Sequence, residues 1–313
     1  MHGLERSQLK ILSRRSNGHG LRQLGAHLAL LALSGTGVYF ARGSLWLVPA
    51  LVLHGVVLVF LFCALHETVH RTVFATRVLN DAVAWFCGVL LMLPPAYFRL
   101  FHFDHHRYTQ DRERDPELGL PAPVRLRTYL WRATGVPYWK NRLTITSRHA
   151  LTGRVSEHFV PAVRRAWVVR EARILWAVYL SIIVISWLTH RTEALMYWVL
   201  PALVGQPFLR LYLMGEHTGC PFTDDVFSNT RTTHSNPLVR FLAWQMPYHV
   251  EHHAFPSVPF HALPAVHRLI RERIRVSASG YFALHRELVR GFQSGAPLEQ
   301  SPRSPSASAS HPR

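Results

Sequence analysis

The sequence has no closely spaced pair of cysteines. Its three, Cys63, Cys87 and Cys220, are odd in number and far apart, and the first two lie in apolar runs. They read as reduced packing residues, which excludes a disulfide frame and argues against an iron–sulfur cluster. Acidic residues are also scarce, 18 Asp and Glu against 35 Lys and Arg, for a formal net charge of +17 with histidine neutral. Such an excess can signal nucleic acid, but the basic residues gather in the N-terminal arm and after the second and fourth apolar runs. That is the positive-inside arrangement of a membrane protein, and no nucleic-acid partner is expected. The opening MHGLERSQLKILSRR has no small-residue cleavage pattern, so a removable signal is not expected. No internal repeat of fixed period is visible.

Long apolar runs are what the chain does have. Residues 21–39 and 45–65 each carry enough consecutive, mostly uncharged positions to cross a hydrocarbon layer of about 30 Å at roughly 1.5 Å per helical residue. Residues 174–189 and 194–214 make a second pair. The links between partners, 41–44 and 190–193, are short, so each pair reads as a helical hairpin. Arg42 and Arg191 are the only basic residues in those links, which places the links outside and both termini in the cytoplasm.

The expected fold is all-α and integral to the membrane: four transmembrane helices in two hairpins with a cytoplasmic helical cap. A basic arm (1–20) would precede a membrane domain (21–293), and a Ser-, Pro- and Ala-rich tail (294–313) would be disordered. A further apolar stretch, about 82–100, is short and interrupted by Pro94 and Pro95. Were it to cross, it would separate the histidine clusters on either side, so it is expected to lie against the membrane or fold back to the cytoplasmic side.

Eight histidines stand in three clusters beside these runs: His66 and His70 in HETVH, His102, His105 and His106 in HFDHH, and His249, His252 and His253 in HVEHH. Neutral imidazole is the commonest protein ligand for transition metals, and eight are too many for one ion and suit a pair. His66 and His70, four apart, share a helical face. In the other two clusters the first and second histidines are three apart and the third diverges by about 100°, so each cluster can serve two neighbouring metals. His217, after the fourth run, can swing into the same site; His234, in a loop, is a weaker candidate. His27 and His54 lie inside spans and read as interhelical hydrogen-bonding groups. His261, His267 and His285 read as structural or exposed.

Ligand imidazoles usually donate their second N–H to a carboxylate. Asp104, Glu251, Glu67 and Glu216 adjoin the histidines, with Asp111, Asp115 and Asp81 within reach along the chain. Trp244, Tyr248, Tyr97 and Phe98 are candidates to line a substrate's approach, and Arg210 either holds a substrate headgroup or snorkels to the interface.

The order HxxxH, HxxHH, HxxHH on paired apolar hairpins resembles the membrane fatty acid desaturase superfamily, with its related hydroxylases and ketolases. The stretches HHRYTQDRERDPEL from His105 and NTRTTHSNPLVRFLAWQMPYHVEHHAFPSVPFHALPAVH from Asn229 look like its bacterial members. The resemblance implies a cytoplasmic, non-haem centre of two Fe held by the eight clustered histidines, with His217 matching an additional ligand after the fourth span. Where such enzymes often carry an Asn one turn before that histidine, this chain has Leu213. Dioxygen would be the co-substrate and an acyl lipid the substrate, in a bacterial inner membrane. The sequence has no fused cytochrome-like or flavin domain, so electrons would come from a separate ferredoxin, rubredoxin or reductase. Removing hydrogen from two adjacent carbons would leave an alkene, and return of oxygen after the first removal would leave an alcohol.

Other classes remain. A specialised small metabolite could replace the lipid on the same centre. HETVH also satisfies HExxH, the zinc-protease signature with Glu67 as the base, but that leaves HFDHH and HVEHH without a role. A non-enzymatic membrane scaffold would be expected to have lost ligands, and all three clusters are complete.

Overall fold

A computed structural model describes residues 4–119 and 125–294. The tail expected to be disordered lies outside the described residues from 295 onward. The described chain is mostly helical: α1 (Arg6–Leu12), α2 (Asn17–Ala41), α3 (Leu47–Val59), α4 (Leu61–His70), α5 (Arg77–Leu90), α6 (Pro95–Tyr108), α7 (Leu126–Ala133), α8 (Val136–Thr152), α9 (Ala162–Leu188), α10 (Leu200–His217), α11 (Val226–Asn229), α12 (Pro237–Leu242), α13 (His249–Ala254), α14 (Leu263–Ile270) and α15 (Tyr281–Ser294). Two two-residue strands, β1 (Thr232–Thr233) and β2 (Ser277–Ala278), pair in parallel.

By length and composition α2 and the continuous Leu47–His70 helix formed by α3 and α4 are able to cross a membrane, and α5 with α6 makes a third candidate if that bent pair counts as one span. Their apolar faces look outward: Leu33 and Phe40 on α2 and Val48 and Leu53 on α3 are more than half exposed. The second predicted hairpin falls on α9, which starts twelve residues before the expected span, and on a π-helical turn (Leu195–Val199) that leads into α10. Ile183, Ile185 and Trp187 of α9 are likewise exposed. Apolar surface of this extent calls for an apolar surrounding.

Polar pins hold the apolar helices together. His27 accepts the indole N–H of Trp244 at Nδ1 (3.1 Å), so its Nε2–H donates to the Val57 carbonyl (2.9 Å). His54 bridges Ser34 Oγ (2.8 Å) and the Tyr197 carbonyl (3.0 Å). Both do the interhelical work expected of them, and in an apolar setting each satisfied pair spares an unmade hydrogen bond. The closest crossing is α3 on α10. A Cβ on Gly205 would stand 2.3 Å from the Gly55 carbonyl, and one on Gly55 would stand 2.3 Å from the Pro201 oxygen. Only glycine lets these backbones touch.

The stretch 82–100 is two helices, not one: α5 and α6 are bent by 99° across a four-residue break at Leu91–Pro94. The prolines account for the break, but a buried helix end also needs partners for its last carbonyls. Three side chains supply them. Tyr179 Oη donates to Val89 O (2.6 Å), Trp198 Nε1 to Leu90 O (2.8 Å) and Tyr138 Oη to Leu91 O (2.7 Å). On the far side of the break the buried Glu171 carboxylate accepts from Ala96 N at 2.7 Å. This fold-back brings HFDHH on α6 against HETVH on α4.

Gly205→Val forces backbone apart at the α3–α10 crossing and is expected to destabilise by about 1–3 kcal/mol or more. A lowered melting midpoint in detergent would show it, while Gly37→Val, with open space at its Cβ, should melt like the parent. Equal midpoints for both would remove the crossing as a source of stability.

Candidate metal centre

Four helices aim imidazoles at one buried point. α4 presents His66 and His70 on its last turns, α6 presents His102, His105 and His106, α10 ends on His217, and α13 carries His249, His252 and His253. The rings sort into two abutting sets. His66, His70, His102, His106 and His252 each offer a nitrogen within 4.8 Å of the others, and so do His105, His217 and His253. His249 joins the second set, its Nε2 lying 3.1 Å from Nε2 of both His217 and His253.

The sorting corrects the expectation from spacing. In each HxxHH cluster the residues four apart share a set, His102 with His106 and His249 with His253, and the middle histidine goes to the other. At 3.6 residues per turn, four residues overshoot a full turn by about 40° while three fall short by about 60° on the opposite side. The middle residue is therefore the divergent one.

The donor set fits transition metal. Among the described residues neither ring nitrogen of His66 has a hydrogen-bond partner, nor have Nε2 of His70 and Nδ1 of His106, all buried. An unmade buried hydrogen bond costs about 1–3 kcal/mol, so several such nitrogens in one pocket suit the binding of a cation. His102 and His106 Nε2 lie 2.9 Å apart, and His106 and His252 Nε2 3.1 Å apart. Two nitrogens each about 2.1 Å from a common ion and at right angles would stand about 3.0 Å apart. Burial and the surrounding imidazoles hold His249, His252 and His253 well below the usual histidine range, leaving them in the neutral form that ligates.

Several partners orient the rings. Asp115, one of the acids within reach along the chain, accepts from His105 Nδ1 at 2.9 Å and from the amides of Gln110 (2.8 Å) and Glu117 (2.9 Å). Burial pushes its carboxyl up, but His105 and those amides outweigh it and hold it below the usual range. Glu67 and Glu216 lie 3.6 Å from Nδ1 of His252 and His249, respectively. Glu251 is buried but turns away, accepting from Thr232 Oγ1 (2.7 Å) and pairing with His267. Asp104 faces His158 at 3.6 Å, Asp111 pairs with Arg114 and Asp81 with Arg71. Glu67 also accepts from Phe260 N (3.0 Å) and Thr72 Oγ1 (3.3 Å), and its HExxH histidines share their set with three more.

The aromatic residues divide. Phe98 stacks on His102 with ring centres 5.5 Å apart. Trp244 is fully buried with its N–H on His27, Tyr248 Oη meets Arg240 (3.2 Å), and Tyr97 packs on His149 and Phe159; none of the three has a ring contact with the nine histidines. Arg210 stacks over Tyr138, 4.4 Å from the ring centre. His234 lies beside His267, ring centres 5.6 Å apart, outside both sets. His261 stacks on His19 at 4.3 Å, and His285 meets Tyr129 Oη at 3.0 Å. Leu213 packs against the core.

Sequence reading missed the groups that fix His217 and His253. The Asn229 carbonyl takes His217 Nδ1 (3.2 Å), Gln110 Nε2 donates to the His217 carbonyl (2.7 Å) and Thr109 Oγ1 meets His253 Nδ1 (3.2 Å). Arg231, 1% exposed, donates to the carbonyls of Gly215 (2.7 Å) and Thr218 (2.9 Å), capping α10. The only signal for Thr109 and Gln110 was their place three and four residues after HFDHH.

Such a site, two imidazole sets buried among apolar helices, is of the kind that could hold metal in a membrane protein. The particular family follows from comparison: fatty acid desaturase matches residues 43–285, and the chain belongs to that family. Similar proteins are a sphingolipid delta(4)-desaturase DES1-like protein of Arabidopsis thaliana, 25% identical over 225 residues (68% of this chain, 59% of the relative), and the sphingolipid delta(4)-desaturase/C4-monooxygenase DES2 of Rattus norvegicus, 26% identical over 223 residues (67% and 61%). The match spans about three fifths of the length of these curated relatives.

Asp115→Asn removes the carboxylate that orients His105 and is expected to weaken metal retention by about 10- to 100-fold. Chelator competition followed by metal analysis reads this directly. Retention equal to the parent would remove Asp115 from the centre.

Proposed function

We propose that this protein is a membrane-bound, dioxygen-dependent oxidoreductase that introduces a C=C bond into a fatty acyl lipid. The observation that carries the reading is the double set of nine imidazoles, five and four. Two irons bound there would supply the electrons that reduce dioxygen and the oxidising power to remove hydrogen from unactivated carbon.

The chain's own residues would prepare that chemistry. His66, His70, His102, His106 and His252 would hold one ion and His105, His217, His249 and His253 the other. Asp115, Glu67 and Glu216 would accept the remaining N–H protons of His105, His252 and His249, fixing ring orientation and strengthening the ligands. Phe62 and Phe98, beside His66 and His102, would keep water away and guide the acyl chain. α2, α3–α4, α9 and π-turn–α10 would make the four spans, with the histidines and both termini cytoplasmic in a bacterial inner membrane. A ferredoxin, rubredoxin or reductase would dock on that basic face.

Hydroxylation is the second reading, because the rat relative is named as both desaturase and monooxygenase. The two differ in whether the substrate radical loses a second hydrogen or recovers oxygen, a matter of substrate position.

The iron-loaded protein, given a reductant, dioxygen and acyl lipids, is expected to yield products short of two hydrogens by mass spectrometry. Products that gain one oxygen would select hydroxylation. Loss of all turnover in His66→Ala and in His253→Ala is expected of a centre that needs both sets; full turnover in either would sink the paired-metal reading.

A further inference from the structure

A cavity of about 520 Å³ opens between α4, α5, α6 and α9. Thr68 and Val69, which lie between His66 and His70 on α4, form one wall, and Arg99, three residues before His102, forms another. Arg71 and Arg170 add two more guanidinium groups, and Trp85, Trp167 and Ile174 line its apolar part.

Its two carboxylates are already engaged. Asp81 accepts from Arg71 at 2.9 and 3.3 Å and faces Arg77 at 3.6 Å, while Glu171 accepts from Ala96 N. Arg99 is left over: its Nη1 is buried without a hydrogen-bond partner, and its guanidinium rests 4.3 Å from the centre of the Phe103 ring. Among the described residues neither Arg99 nor Arg170 has an ion-pair partner. A partly buried guanidinium whose neighbouring carboxylate, Asp81, is already held by another arginine is costly, and its planar fork matches a phosphate or carboxylate.

The apolar part limits the kind of anion. Trp85 and Trp167 are the residue type that settles at a membrane–water boundary, and Ile174, 44% exposed, opens the apolar face of α9 beside them. The volume lies within the usual range for small-molecule sites, about 300–1,000 Å³. Guanidinium groups at one side and an apolar, tryptophan-lined mouth at the other describe an amphiphile.

We infer that this cavity binds the phosphate or carboxylate headgroup of an anionic membrane lipid, with Arg99 as its principal donor and Arg170 and Arg71 flanking it. The binding stands apart from turnover and requires only that the helices sit in a bilayer. Through Phe103, whose ring lies 5.1 Å from that of His70, an occupant would also steady the wall it shares with the metal centre.

Native mass spectrometry of the full, detergent-purified chain tests the site with three probes: phosphatidylglycerol, phosphatidylcholine and inorganic phosphate. One phosphatidylglycerol per chain is expected, held at least tenfold more tightly than phosphatidylcholine, whose choline cation offsets the phosphate charge and is repelled by the guanidinium groups. Arg99→Gln should lose roughly tenfold in phosphatidylglycerol affinity while Arg99→Lys keeps part of it, with metal content and melting midpoint as folding checks. If Arg99→Gln does not fold, Arg170→Gln carries the test with the same expected direction. Equal affinity for the two lipids, or unchanged phosphatidylglycerol binding in folded Arg99→Gln and Arg170→Gln, would overturn the proposal. Inorganic phosphate binding as tightly as the lipid, with the same dependence on Arg99, would replace the lipid by a free anion and overturn it likewise.

Discussion

Nine imidazoles held in one water-poor pocket are the constraint that organises this protein. Each ring taken from water loses two hydrogen-bonding opportunities, and burial favours the uncharged form. His66 has no protein partner at either nitrogen, and one nitrogen each of His70 and His106 has none. A metal ion would restore the lost interactions, and neutral nitrogen donors at this separation suit one. Four helices must therefore end at one point, and the rest of the architecture serves that convergence.

The sharpest demand falls on the break between α5 and α6. Had that apolar stretch run straight, HFDHH would have been carried away from HETVH. The prolines forbid a straight helix, but they also strand carbonyls in an apolar place. Tyr179, Trp198 and Tyr138 arrive from three separate elements to bond those carbonyls. The bend is thus stabilised from outside itself, by α8, α9 and the π-turn, which ties the second half of the chain to the first. The glycine contact of α3 with α10 does the same at another level, bringing His217 beside the rings of α6 and α13.

Electrostatics divide the molecule in a consistent way. The acidic groups near the centre accept hydrogen bonds from ring nitrogens or amides, as Asp115 does, and so act as orienting groups. Arginines stand at the edges, several of them over aromatic rings. Arg231 lies deeper, 1% exposed, and caps the carbonyls at the end of α10.

Local pattern determined much of this. Long apolar runs specified the long helices, and the order HxxxH, HxxHH, HxxHH marked the histidines that the fold brings together, because side-chain spacing along a helix is a local property. His217 was legible from its place after the last run. Which ring joins which set was not, since it depends on how α6 and α13 face each other. Nor were Asn229, Thr109 and Arg231 legible, or the turning away of Glu251 and Asp104 toward His267 and His158. A carboxylate's sequence neighbours say what it could reach; only the packed helices decide what it touches, because hydrogen-bond partners come from segments a hundred residues apart as readily as from the next turn.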